Sequence, residues 1–331
     1  MQSIAGHRRN AHPRSGLTWI DVVVVTFILL VLAALLLPAV RRSREPSLRA
    51  QCQNNMKQLV IATMNYAIKA NGELPWLSTE NSEGIVSNWL VDLLPEMDNA
   101  AARRHWDSLT GVQRAEFEVS LKMFQCPADS RSFQVDGGLS YIANAGFGNF
   151  HVDPKSNAVY ERMPHGQGSV DWDGDGFASP DDREKTVATG VFWPDRDGDT
   201  FRSNLDGISS GDGQSNTILF AESVNAGKWN SAKTLDIAFV VGLDRIRFAN
   251  PGSDSACLKI DGADPGPFGV AGGNIPRHTP SPSSHHQGTS IYGFADGGTR
   301  QISNQIDPLI YLKLMTPNGQ RYGETLDGLD Y

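Results

Sequence analysis

The chain has 331 residues, a formal net charge of −8 and 20% charged residues, with a mean hydropathy of −0.32. That length allows one large domain or two small ones with a proper core, and the acidic balance argues against nucleic acid as a partner. Cys52, Cys126 and Cys257 are spaced too widely for a CxxC metal or redox motif and leave room for one disulfide at most.

The first element is an apolar run from Leu17 to Val40. At about 1.5 Å per residue it makes roughly 36 Å of helix, against a hydrocarbon core of about 30 Å, so it is expected to cross a bilayer. It lacks the A-x-A-like end of a secretory signal peptide and is expected to stay attached. Arg8, Arg9 and Arg14 precede it and Arg41, Arg42 and Arg44 follow, so charge alone orients it weakly. Asp21 stands in its first turns, and acids inside membrane segments are costly and functional by default. A cut after Gly16 would put the α-amino group of Leu17 about one turn from Asp21, giving the carboxylate a cation.

Arg14, Ser15 and Gly16, followed by Leu17, Thr18, Trp19, Ile20 and Asp21, resemble a type IV prepilin signal. Leu17 stands for the usual Phe and Asp21 for the usual Glu. The resemblance implies a cytoplasmic leader at 1–16, removed by a prepilin peptidase after Gly16, and a transmembrane helix at 17–40. The bulk of the chain would then lie outside the cytoplasmic membrane, in the periplasm or at the cell surface. Asp21 and the amine of Leu17 would pair between neighbouring pilin-like subunits within the lipid bilayer.

From Ser47 to Lys69, Leu48, Cys52, Met56, Leu59, Val60, Thr63, Tyr66 and Ala67 recur at steps of three and four, which predicts an amphipathic helix ended by Asn71 and Gly72. Pro38 and Pro46 predict a kinked stem, so 41–72 is a stem helix separate from the span. Further helices are expected over Asn88 to Glu96 and Val112 to Phe124. Beyond Cys126, short runs separated by Gly, Asp, Asn and Ser predict strands at Gly138 to Asn144, Val187 to Trp193, Thr217 to Ala221, Ile237 to Val241 and Ser290 to Ala295. A long helix followed by strands argues an α+β fold, the helix packed on an antiparallel sheet, in an extracytoplasmic domain at 73–331 with an enlarged, loop-rich C-terminal part. Because Cys52 lies just past the apolar run, Cys126 and Cys257 are the pair expected to form any disulfide.

Five blocks occur in order: QCQNNMKQL from Gln51, FQCPAD from Phe124, SYIANAG from Ser140, DGQSNTILFAES from Asp212, and HQGTSIYGFADGGTRQIS from His286. Together they resemble the large family of pilin-like proteins abundant in planctomycetes, a domain of unknown function with a C-terminal H-x9-DG signature. His286, Asp296 and Gly297 match that signature. The chain departs from the family in its acidic insert, 171–206.

In DWDGDGFASPDD, Asp171, Asp173 and Asp175 fall at positions 1, 3 and 5 of an EF-hand-like loop, with the Phe177 carbonyl at 7 and Asp182 at 12. This spacing predicts a Ca²⁺ site, with Ser179 as N-cap and Pro180 as first residue of the helix that carries Asp182. A second copy, DRDGDTFRSNLD, offers Asp195, Asp197, Asp199 and Asp206, but Thr200 replaces the turn glycine and predicts a weaker site.

An enzyme would draw on His285, His286, Glu222, Asp296 and Ser283 or Ser284, yet no G-x-S-x-G, H-E-x-x-H or phosphate-loop pattern fixes them. Asp296 and Gly297 are instead expected to make a two-residue hairpin turn with His286 hydrogen-bonded at its base. The sequence therefore points to a non-enzymatic, membrane-anchored pilin- or pseudopilin-like envelope protein. Its role would be structural or interactive, in a type IV pilus or type II secretion-like assembly, with calcium stabilisation. The alternative is a single-pass surface protein displaying a calcium-dependent ligand-binding domain.

Overall fold

The computed structural model describes residues 18–152, 159–162, 180–195, 201–242, 246–248, 258–260, 282–286 and 288–319. The side chains of 33–44 and of several strand residues, among them 147–152, lie outside that description. The chain divides into two compact units, Met1–Ser47 and Leu48–Tyr331.

Helix α1 (Trp19–Lys69) begins in the first unit and ends in the second. Its start is closed reciprocally: Thr18 N and Oγ1 donate to Asp21 Oδ2 at 2.9 and 2.7 Å, and Asp21 N donates to Thr18 Oγ1 at 3.4 Å. This is a capping box with Asp in place of Glu. The side chains of residues 18–32 are all exposed. Among the described residues no helix is long and apolar enough to cross a membrane.

The helix passes through Pro38 and Pro46 without ending. Between Trp19 and Lys69 the expected span and stem are thus stretches of one helix, because a proline removes one backbone hydrogen bond while the flanking turns keep theirs. It stops where the sequence indicates, at left-handed Asn71 (φ 55°) and Gly72 (φ 89°). Gly72 N donates to Ala67 O at 2.7 Å, satisfying one of the last helical carbonyls.

In the second unit a hairpin, β1 (Ser78–Asn81) and β2 (Gly84–Asn88), leads into α2 (Trp89–Leu93), α3 (Ala100–Ser108) and α4 (Gly111–Glu116). Then come β3 (Tyr141–Val152), β4 (Val159–Arg162), α5 (Pro180–Val187), α6 (Leu205–Ser210) and β5 (Ile218–Glu222). The chain continues through α7 (Thr234–Ile237), β6 (Ala238–Gly242), β7 (Ile246–Phe248) and β8 (Leu258–Ile260). It closes with β9 (Thr289–Phe294), β10 (Thr299–Ser303) and α8 (Pro308–Met315). The main sheet runs β10-β9-β5-β3-β4 with every pair antiparallel, and β6 joins β3 in parallel.

Strand alternation gives this sheet two apolar faces. Ile291, Tyr141 and Ala143 share one core with Cys52, Met56, Leu59 and Val60 of α1. Tyr292, Phe294 and Ile142 share the other with Tyr311, Leu312 and Met315 of α8. The fold is mixed α+β as expected, and α8 is an unforeseen second cover. Where α1 crosses β9, a Cβ on Gly293 would lie 2.4 Å from Val60 Cγ2, so only glycine admits the helix this close.

Local expectations met several outcomes. Asn88 caps α2 by accepting from Val91 N at 3.0 Å. The helix expected over Val112 to Phe124 is reduced to α4 and a single 3₁₀ turn at Lys122–Phe124. Val187 to Trp193 is not a strand. Val191 N and Phe192 N both donate to Asn144 O, at 3.1 and 2.9 Å, and a Cβ on Gly190 would lie 2.6 Å from Gly146 Cα. Two backbones that close leave no room for a regular ladder.

Candidate functional site

Four segments converge beneath the packed face of α1. Tyr141 pairs with Glu222 between β3 and β5, and Ser140 N donates to Phe124 O at 2.9 Å, which draws in the Cys126 loop. Ser283 N donates to Glu222 O at 2.8 Å, which draws in the segment before β9. The Tyr141 hydroxyl donates to Cys52 O at 3.1 Å and fixes α1 over the junction.

At this junction Cys52 and Cys126 form a disulfide with Cα atoms 4.9 Å apart. The expected Cys126–Cys257 pair is therefore excluded. Cys52 is a fully buried residue of α1's packed face rather than a residue of a free stem, and that brings it to Cys126.

His286 Nε2 lies 3.7 Å from Cys126 Sγ and 3.6 Å from Glu222 Oε1. Ser284 Oγ donates to Glu222 Oε2 at 2.8 Å and accepts from His286 N at 2.9 Å. Burial pushes the Glu222 carboxyl up to about 8, against the Ser284 and Ile291 hydrogen bonds that favour the carboxylate. Alongside, Asp129 faces His285 Nε2 at 3.3 Å and accepts from Ser140 Oγ at 3.2 Å, from Arg131 N at 3.1 Å, and from Ser132 Oγ.

Of the possible catalytic residues, the fold brings together Glu222, Ser284 and His286 and leaves Asp296 elsewhere. Asp296 pairs with Arg300 at 2.7 Å and accepts from Gly298 N at 2.7 Å. The hairpin expected at Asp296 and Gly297 is present, with Gly297 at φ 82°, but Gly293 pairs with Thr299, so its loop is longer than two residues. Thr289 N donates to the His286 carbonyl at 3.5 Å, near the hairpin's open end, while the imidazole faces the disulfide and Glu222. A Ser–His–acid relay needs the imidazole between hydroxyl and carboxylate. Here the hydroxyl bonds the carboxylate directly, and Ser284, His286 and Glu222 are each at most 2% exposed.

Among the described residues, Cys52, Cys126, Glu222 and His286 have the chemistry to hold a metal, their ligand atoms all lying within 4.8 Å of one another. Of the calcium residues, Asp171, Asp173, Asp175, Phe177, Asp197 and Asp199 lie outside the described residues, as do Gly16, Leu17 and Cys257. Helix α5 begins at Pro180 and so carries Asp182 in its first turn. Asp195 N donates to Ser78 O at 2.8 Å, and Asp206 is exposed in the first turn of α6.

A family model described as a protein of unknown function (DUF1559) matches residues 41–309. The chain belongs to the DUF1559 family. Neither a curated protein nor a solved structure gives a significant match. The DUF1559 span starts after the apolar run and takes in every residue of the buried junction. Each of the five sequence blocks supplies a residue to that junction: Cys52, Cys126 with Asp129, Ser140, Glu222, and His286. Sequence reasoning placed Glu222 and His286 among possible catalytic residues and passed over Cys52 and Asp129. The signal for both lay only in their membership of those blocks, QCQNNMKQL and FQCPAD.

Proposed function

We propose that this DUF1559 protein is a membrane-anchored, pilin- or pseudopilin-like envelope protein with a structural or interaction role, non-enzymatic and stabilised by Ca²⁺. The observation that carries the proposal is the N-terminal part of α1. From Trp19 to Leu32 its apolar side chains are exposed, Phe27 at 66% and Leu30 at 64%, and an apolar surface this continuous calls for an apolar cover. Its one hydroxyl there, Thr26, donates to Val22 O at 2.7 Å, so that group needs no water.

The Cys52–Cys126 disulfide supports an extracytoplasmic location for the domain, since such bonds persist in oxidising compartments. The cap made by Thr18 and Asp21 survives a cut after Gly16, because both residues lie beyond it. Asp21 would then serve two groups, its own helix start and the amine of a neighbouring subunit.

Cross-linking in membrane fractions tests the assembly. Wild type should give a ladder of homo- or hetero-oligomers that Asp21→Ala weakens severalfold. A monomer in both would favour the single-pass display protein instead.

A further inference from the structure

We propose that Cys52, Cys126, Glu222 and His286 form a buried tetrahedral site for a thiophilic divalent cation of the Zn²⁺ class, filled when the Cys52–Cys126 bond is reduced. A tetrahedral Zn²⁺ with ligands at about 2.0 to 2.3 Å holds neighbouring ligand atoms roughly 3.3 to 3.8 Å apart. Two of these edges stand at that length already, 3.6 Å from His286 Nε2 to Glu222 Oε1 and 3.7 Å from His286 Nε2 to Cys126 Sγ. The edge that must open is the sulfur–sulfur bond itself. With the Cα atoms 4.9 Å apart, rotation about χ1 separates the sulfurs without moving α1 away from the loop.

The donor set selects the cation. Two thiolates and an imidazole suit Zn²⁺, whereas Ca²⁺ and Mg²⁺ require oxygen shells. The outer contacts are in place as well. Ser284 Oγ donates to Glu222 Oε2, Oε1 is the oxygen that faces His286 and would be the ligand, and the same Ser284 oxygen accepts from His286 N. All four residues are at most 2% exposed, so the opened pair has no water to solvate thiolates, and a dication supplies the missing charge.

Reduction takes two electrons and two protons from a dithiol, which becomes a disulfide while Cys52 and Cys126 become thiols. Zn²⁺ then displaces both thiol protons to solvent and bonds the two sulfurs. The metal ties α1 to the Cys126 loop in the state that lacks the covalent tie.

The test uses the full-length chain in detergent and a trialkylphosphine, which becomes the phosphine oxide with the oxygen of one water and leaves its two hydrogens on the sulfurs. Thiol counting follows the reduction, circular dichroism the fold, and Co²⁺ is titrated before Zn²⁺. The reduced chain should bind one equivalent of Co²⁺ with thiolate charge-transfer absorption and intense tetrahedral d–d bands, and Zn²⁺ should displace it. The unreduced chain should show neither feature; Co²⁺ on the acidic insert would lack the charge-transfer band. His286→Asn and Glu222→Gln should each weaken binding at least about tenfold. A folded, reduced chain without these bands would overturn the proposal, as would bands undiminished in both variants. So would a bond that opens only on unfolding, or a reduced chain that unfolds with Zn²⁺ present, because a bound metal holds its ligands together.

Discussion

Cys52, on the packed face of α1, is bonded through sulfur to Cys126, 74 residues further along the chain. The bond ties α1 to the loop carrying Asp129, and it lies against His286. Closing a loop of that size in the unfolded chain corresponds to about 4 kcal/mol in the chain-entropy description. Replacing both cysteines by alanine should therefore cost about 2 to 5 kcal/mol in chemical denaturation. Equal stability of the double variant and the oxidised wild type would show that packing alone holds α1 down.

Glu222 gives the oxidised protein a pH dependence of defined sign. Its carboxyl titrates at about 8 folded against 4.5 unfolded, so between those values the native state holds the extra proton. Its contribution to stability is complete below the unfolded value and is lost as pH rises through the folded one, at about 1.4 kcal/mol per pH unit in between. Denaturation midpoints from about pH 5 to pH 8 should fall in wild type and fall less steeply in Glu222→Gln. Parallel curves would place the titration elsewhere.

Gly293 and Val60 mark where helix meets sheet. Gly293→Ala forces a methyl toward Val60 Cγ2, a contact of 2.4 Å before relaxation, and should cost about 1 to 3 kcal/mol. Val60→Ala should destabilise the wild type but restore part of the loss in Gly293→Ala. A double-mutant cycle reads that coupling, and strict additivity would mean that α1 shifts as a body instead.

The packed face of α1 and its stop were legible because three- and four-residue spacing and an Asn–Gly pair are local signals. Cys52, Met56, Leu59, Val60, Thr63 and Ala67 are all buried. Strands β5, β6 and β9 were legible for the same reason. Helix α8 was not, since PLIYLKLM is apolar apart from Lys313 and shows no helical stripe. The run from Val187 to Trp193 has strand-like residues, but its geometry is set by Gly146, far away in sequence. The candidate site was legible only as separate residues. Glu222 and His286 meet because β5 and β9 are neighbours, a long-range pairing that no local pattern encodes.

The acidic insert carries its own expectation. If Asp171, Asp173, Asp175 and Asp182 bind Ca²⁺, the cation should stabilise the folded chain by about 2.7 kcal/mol at a hundredfold excess over the dissociation constant. Asp171→Ala with Asp175→Ala should remove most of the binding heat, and Asp197→Ala a weaker component, since Thr200 stands where the turn needs glycine. An unchanged melting temperature between millimolar Ca²⁺ and chelator would make the loops solvated surface.

The central proposal, an anchored subunit matured at its N-terminus, is tested most directly by the intact mass of the protein extracted from membranes. A chain beginning at Leu17, with or without one added methyl group, is the predicted result. A membrane-extracted chain that still carries residues 1–16 would contradict it.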